Sequence, residues 1–121
     1  MADDSQKTAR EPRALAQLFN QRANAGDVEG LVALYEPGAV LAAGRVVATG
    51  HNEIRAFYAS LLGRKSDFPA PETLQPIRNG DLALTFARLP NGALSVEVAR
   101  AQPDGTWLWA IDQLKIAPPK D

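Results

Sequence analysis

The chain of 121 residues is 45% hydrophobic and 22% charged, enough for one domain to bury a core and too apolar for disorder. Its 13 basic residues against 14 acidic ones form no run of either sign, so the footprint that nucleic acid or an anionic membrane selects is missing. There is no cysteine and His51 is the sole histidine, which removes disulfides, thiolate chemistry and multi-imidazole metal sites.

No metal and no cofactor are therefore expected, and any catalysis falls to carboxylates, tyrosines or backbone. No stretch of about 18 apolar residues is available for a membrane span. Residues 1–10 lack the apolar core of a signal peptide, so a cytoplasmic location is expected. Residues 1–10 and 117–121 read as loose tails around a single domain.

After Pro12, which suits a first helical turn, Leu15, Leu18, Phe19 and Ala23 fall on one helical stripe that Gly26 ends. Asp27 is placed as the N-cap of a second helix with Val28, Leu31, Val32 and Tyr35 inward, stopped by Pro37 and Gly38. Residues 39–49 (AVLAAGRVVAT) read as two short strands around Ala43-Gly44. A third helix over 52–62 carries the stripe Ile54, Phe57, Tyr58, Leu61 and Leu62, and 65–72 reads as a long loop. Beyond it, the turn signals Asn79-Gly80, Pro90-Asn91-Gly92 and Pro103-Asp104-Gly105 divide an antiparallel meander of strands over 72–78, 81–89, 93–101 and 106–116.

Residues 24–35 (NAGDVEGLVALY), 49–61 (TGHNEIRAFYASL) and 104–115 (DGTWLWAIDQLK) carry a likeness. In that order they resemble the SnoaL-like, ketosteroid-isomerase-like branch of the nuclear transport factor 2-like superfamily, over about residues 13–116. The resemblance implies an α+β, cystatin-like cone: three N-terminal helices packed against a strongly curved, mostly antiparallel sheet that encloses an apolar pocket, commonly as a homodimer. It implies no single reaction, since such folds serve isomerases, dehydratases, cyclases and non-catalytic binders. The alignment puts Phe19 where the family's catalytic tyrosine stands and Ala43 where its base aspartate stands. Steroid isomerisation by the usual residues is therefore not expected. Tyr35 and Tyr58 match supporting tyrosines, for which core packing with the hydroxyl tied to a partner is the favoured reading over ligand contact, and Glu97 matches the buried acid.

Along the strand 93–101, Leu94, Val96 and Val98 alternate with Ser95, Glu97, Ala99 and Ala101, one face bulky and the other small. Small residues on a concave face leave space, and a carboxylate facing it is desolvated. A rim position, or a pair with Arg88 or Arg45, is the alternative for Glu97. With a four-residue loop over 102–105, which the resemblance implies, Ala101 pairs with Thr106, Ser95 with Asp112 and Glu97 with Ala110, so both acids face the pocket diagonally; a loop one residue shorter sends Asp112 to the other face. A solvated place for Asp112 near the mouth stays open. Trp107 and Trp109 then fall on the convex face with Leu94 and Val96, a surface for a second copy of the chain, with ordinary core burial as the competing reading. His51 is expected at the surface in a turn.

Two functions remain open. In the first, Glu97 and Asp112 are candidate catalytic groups, and Phe19, Tyr35, Tyr58, Ser95, Glu97, Asp112 and Leu114 surround a small apolar molecule, with isomerase or lyase chemistry in reach. In the second, the chain is a non-catalytic dimerising module with a vestigial pocket.

Overall fold

A computed structural model describes residues 8–116. Among the described residues there are three helices, two of them before the first strand and the third after the first two strands. α1 (Ala14–Asn24) buries Leu15, Leu18 and Ala23 on the expected stripe. It ends in a turn where Gly26 takes φ +71°, which L side chains rarely adopt. α2 (Val28–Val32) is capped by Asp27, whose Oδ1 accepts from the Gly30 N–H at 2.9 Å. α3 (Gly50–Arg64) buries Ile54 and Tyr58 and includes His51 in its first turn. His51 is half-buried, not free at the surface, and its Nε2 lies 2.8 Å from the Tyr35 carbonyl oxygen.

The strands are β1 (Tyr35–Ala43), β2 (Val46–Thr49), β3 (Glu72–Thr73), β4 (Ile77–Asn79), β5 (Leu82–Arg88), β6 (Leu94–Ala101) and β7 (Trp107–Ile116). They form one seven-stranded sheet in the order β2-β1-β7-β6-β5-β3, with β4 also on β5. Only β1–β7 is parallel, so the sheet is mostly antiparallel as expected. Register shifts in β1–β7 and β6–β7 mark bulges, which bend the strands that carry them. The helices cover the inner face, with α3 against β1 and β2 and α2 between α1 and α3.

Five details differ from the sequence reading. Tyr35 opens β1 and does not close α2, because the helix stops at Val32. Pro37 and Gly38 lie inside β1, in the stretch between Tyr35 and Val40 where the β7 register is interrupted and no ladder N–H is demanded. The strand expected over 72–78 splits into β3 and β4 around Pro76, which has no N–H to give. Of the expected N-terminal tail, residues 1–7 and likewise 117–121 lie outside the described residues, but Ala9 is buried and its carbonyl accepts from the Trp107 N–H at 2.9 Å.

The fifth difference is the placement of the tryptophans. Ala101 pairs with Trp107 rather than Thr106, a shift of one residue, and Ala99 pairs with Trp109. A one-residue slip turns side chains to the other face. Trp107 and Trp109 therefore lie on the inner face, each 3% exposed, and are not part of the convex surface. A bulge between Trp109 and Ile111 then shifts the register again, so Asp112 returns to the inner face directly opposite Glu97, not diagonal to it. Leu94 and Val96 stay on the outer face with Val98, in line with the expected alternation.

That outer face carries an apolar row. Ile77 pairs with Leu84, Leu84 with Val98, Val98 with Ile111 and Ile111 with Val40, so these side chains follow one another across five strands. Ile77 is 63% exposed and Ile111 54%.

Candidate functional site

Because Ala83, Thr85 and Ala87 of β5 and Ser95, Glu97, Ala99 and Ala101 of β6 are small or polar, the inner face leaves a cavity of about 360 Å³. Phe19 and Asn20 of α1, Trp109 and Leu114 of β7, and Phe68 of the loop after α3 form much of its wall. Phe68 is fixed there by α1: Asn20 and Asn24 donate to its carbonyl at 2.8 and 2.9 Å, and its N–H donates to Asn24 Oδ1 at 2.8 Å. Two asparagines one helical turn apart thus fasten a proline-containing loop over the mouth.

Of the residues singled out in the sequence, the cavity brings together Phe19, Ser95, Glu97, Asp112 and Leu114. Tyr35 and Tyr58 do not line it. Both are fully buried behind Asp112. The Tyr35 hydroxyl donates to Asp112 Oδ2 at 2.5 Å, and the two tyrosine oxygens lie 2.6 Å apart. Since the single proton of Tyr35 goes to the carboxyl, Tyr58 is the donor between them. Ala43 lies at the β1–β2 turn outside the cavity wall.

The two acids are buried in different company. Glu97 is 6% exposed, and Thr85 donates to its Oε1 at 2.6 Å. The Trp109 indole N–H reaches Thr85 Oγ1 at 3.3 Å. Burial pushes the Glu97 carboxyl up from the ordinary range, against the hydrogen bonds from Thr85 and Ser95. Among the described residues no arginine is in an ion pair with it; Arg88 reaches Glu72 at 3.3 Å instead. Asp112 is 1% exposed, and burial together with the facing Glu97 carboxylate raises its carboxyl well above the ordinary range, against the Tyr35 hydrogen bond. Its Oδ1 is buried without a protein partner among the described residues. With Oδ2 accepting from Tyr35, the proton that burial retains belongs on Oδ1, where it is a donor with nothing yet to meet.

Aromatic rings pack around this pair. The Trp109 ring centroid lies 5.4 Å from Tyr35 and 6.0 Å from Phe19, and Phe19 lies 5.8 Å from Tyr58. The arrangement can exclude water, offer a neutral carboxylic acid as hydrogen-bond donor, and shift a proton between two facing carboxyls. Among the described residues no cluster of three or more His, Asp or Glu is built to hold a metal ion, and no helix is long and apolar enough to cross a membrane.

The sequence reading missed Asn20, Phe68, Lys65 and Lys115, all on the cavity wall. The Asn20 and Asn24 pair on an exposed helical flank was the available signal. Nothing in the periodicity marks the lysines.

An apolar cone with a buried acid pair defines the class of protein by its fold: α+β, cystatin-like. Solved structures of that class superpose on it. They include a ketosteroid isomerase-like protein from Erwinia carotovora atroseptica SCRI1043 (23% identity, TM-score 0.70, 87% of this chain and 93% of that one). An NTF2-like protein with a cystatin-like fold from Novosphingobium aromaticivorans matches with 21% identity and a TM-score of 0.64 over 84% of this chain and 76% of the other. A putative calcium/calmodulin-dependent protein kinase type II association domain from Thiobacillus denitrificans ATCC 25259 matches with 15% identity and a TM-score of 0.78 over 95% and 100%. At these identities the likeness is one of fold, and it agrees with the resemblance carried by the sequence motifs. No protein-family model and no curated protein matches the chain.

Proposed function

We propose that this domain binds a small, largely apolar molecule in the cone and hydrogen-bonds it at the inner end through Asp112, with Glu97 as the facing acid. The observation that carries the reading is the pairing of an apolar cavity with a buried Asp112 oxygen that has no protein partner. Such a donor meets a ligand carbonyl, and Glu97 opposite it can take or return a proton. That is the equipment for an isomerase or lyase acting next to a carbonyl. Steroid isomerisation by the usual residues is not proposed, because neither Phe19 nor Ala43 can titrate.

Trp109 lies on the wall and Trp107 does not, so the Trp107→Phe protein has a single emitter at the cavity. Titration with 2-decanone, a neutral ketone, is expected to change Trp109 emission saturably. Unchanged emission up to the solubility of the ketone, together with no shift in thermal midpoint, contradicts the proposal.

A second reading, a non-catalytic dimerising module, is favoured by the apolar row Ile77, Leu84, Val98, Ile111 and Val40 with Leu94 and Val96 beside it. Here the row, without the tryptophans, is the surface for a second copy. Light scattering at micromolar concentration is expected to give twice the chain mass, and Ile111→Glu the single mass, since it sets a charge in a dry interface. A monomer in the unmodified protein refutes the dimer and leaves the pocket untouched.

A further inference from the structure

The charged residues of the cavity wall are four: Glu97 and Asp112, both buried, and Lys65 and Lys115, both exposed. The acids sit at the inner end and the cations where the wall meets solvent. Lys65 caps the C-terminus of α3 and Lys115 is near the end of β7, so separate elements bring them to one mouth. Neither is in an ion pair among the described residues. The Lys65 ammonium lies 5.2 Å from the centre of the Phe68 ring, which keeps it over the loop that borders the cavity. Between the two ends the wall is apolar: Phe19, Phe68, Trp109 and Leu114.

A neutral ligand would leave both ammonium groups without use. A ligand with its anionic group inward would bury that charge in a dry space facing Glu97, which desolvation opposes, as does like-charge repulsion once Glu97 ionises. The polarity of the cavity therefore orders a ligand end to end. Resting on the pocket reading above, we infer that the ligand is an amphipathic carboxylate of about 12 to 15 heavy atoms, a size suited to a cavity at the small end of ligand pockets. Its carboxylate sits between Lys65 and Lys115, its apolar body lies along the aromatic wall, and a carbonyl at the far end accepts from Asp112. An oxo-acid with the two groups separated by an alkyl chain is the substrate class. Lys65 and Lys115 are its specificity residues and take no part in chemistry.

The test compares 9-oxodecanoate with 9-oxodecanamide, which has the same shape without the charge, by calorimetry at neutral pH and low salt. The carboxylate is expected to bind roughly fivefold more tightly, the scale of two partly exposed charge contacts. High salt should shrink the margin. Lys65→Gln with Lys115→Gln should remove the margin by bringing the carboxylate's affinity down to the amide's. Equal binding of the two probes, or a margin that survives in the double variant, overturns the anion inference while the pocket reading stands. Failure of both probes and of 2-decanone to bind overturns the pocket reading, and this inference with it.

Discussion

Glu97 and Asp112 face each other across the β6–β7 ladder, yet the two sides of the cavity treat the same functional group differently. On the Asp112 side, β1 and α3 supply two tyrosine hydroxyls in series, and the carboxyl is fully enclosed. On the Glu97 side, β5 supplies one threonine, itself held by the Trp109 indole. Burial raises both carboxyls, and because they face each other their two protons come off as a coupled pair. What differs between the two sides is the set of hydrogen bonds that each carboxyl accepts.

The largest effect should come from the one residue that serves both sides. Trp109→Ala removes the ring between Phe19 and Tyr35 and the donor to Thr85, and is expected to cost about 3–5 kcal/mol in urea unfolding. A cost below about 1 kcal/mol would mean that the two sides are not joined through the indole.

Asp112→Asn separates them. A carboxyl whose folded pKa is raised contributes stability that is complete below its unfolded pKa and is lost as pH rises through the folded one. The wild type should therefore lose stability on this account as pH rises above the ordinary aspartate value of 3.8, and the asparagine variant should not. The difference in unfolding free energy should turn toward the variant by up to ~1.4 kcal/mol per pH unit while only the folded state holds the proton. A difference independent of pH between 5 and 9 would show that Asp112 titrates normally.

Glu97→Gln should act with the same sign and be neutral or stabilising near neutrality, because burial raises its carboxyl too. A clear loss of midpoint at neutral pH would reveal a structural carboxylate held by Thr85. Tyr58→Phe removes only the far end of the hydroxyl series. About 0.5–1.5 kcal/mol is expected, and the Asp112 to Tyr35 bond should survive it.

The same contrast shows what was legible in the sequence. Glu97 could be placed because Ser95, Glu97 and Ala99 alternate with Val96 and Val98, and the structure keeps that alternation without interruption from Val96 to Val98. Asp112 was placed on the correct face by a register that proved wrong twice: one residue at the turn, then one at the bulge between Trp109 and Ile111. The tryptophans, lying before the bulge, took the first shift alone and moved inside. Neither Ala110 nor Ile111 has the glycine signature that would announce a bulge. Helices read well because their period repeats over three turns, as in Leu15, Leu18 and Ala23. Tyr35 continued the helical spacing of Leu31 and Val32 and was misplaced, since spacing cannot tell a helix's last turn from a strand's first residue. The mouth was illegible for another reason: Lys65, Phe68 and Lys115 meet only through tertiary packing of an aperiodic loop against a strand end.

The account turns on the unpartnered oxygen of Asp112 donating to a ligand carbonyl. The direct measurement is the carbon-13 chemical shift of 2-decanone labelled at its carbonyl and bound to the protein. A bound signal displaced downfield from the ketone in alkane solvent, and returned to the alkane position by Asp112→Leu, is the expected result. A bound signal that already lies at the alkane position in the wild type would contradict it.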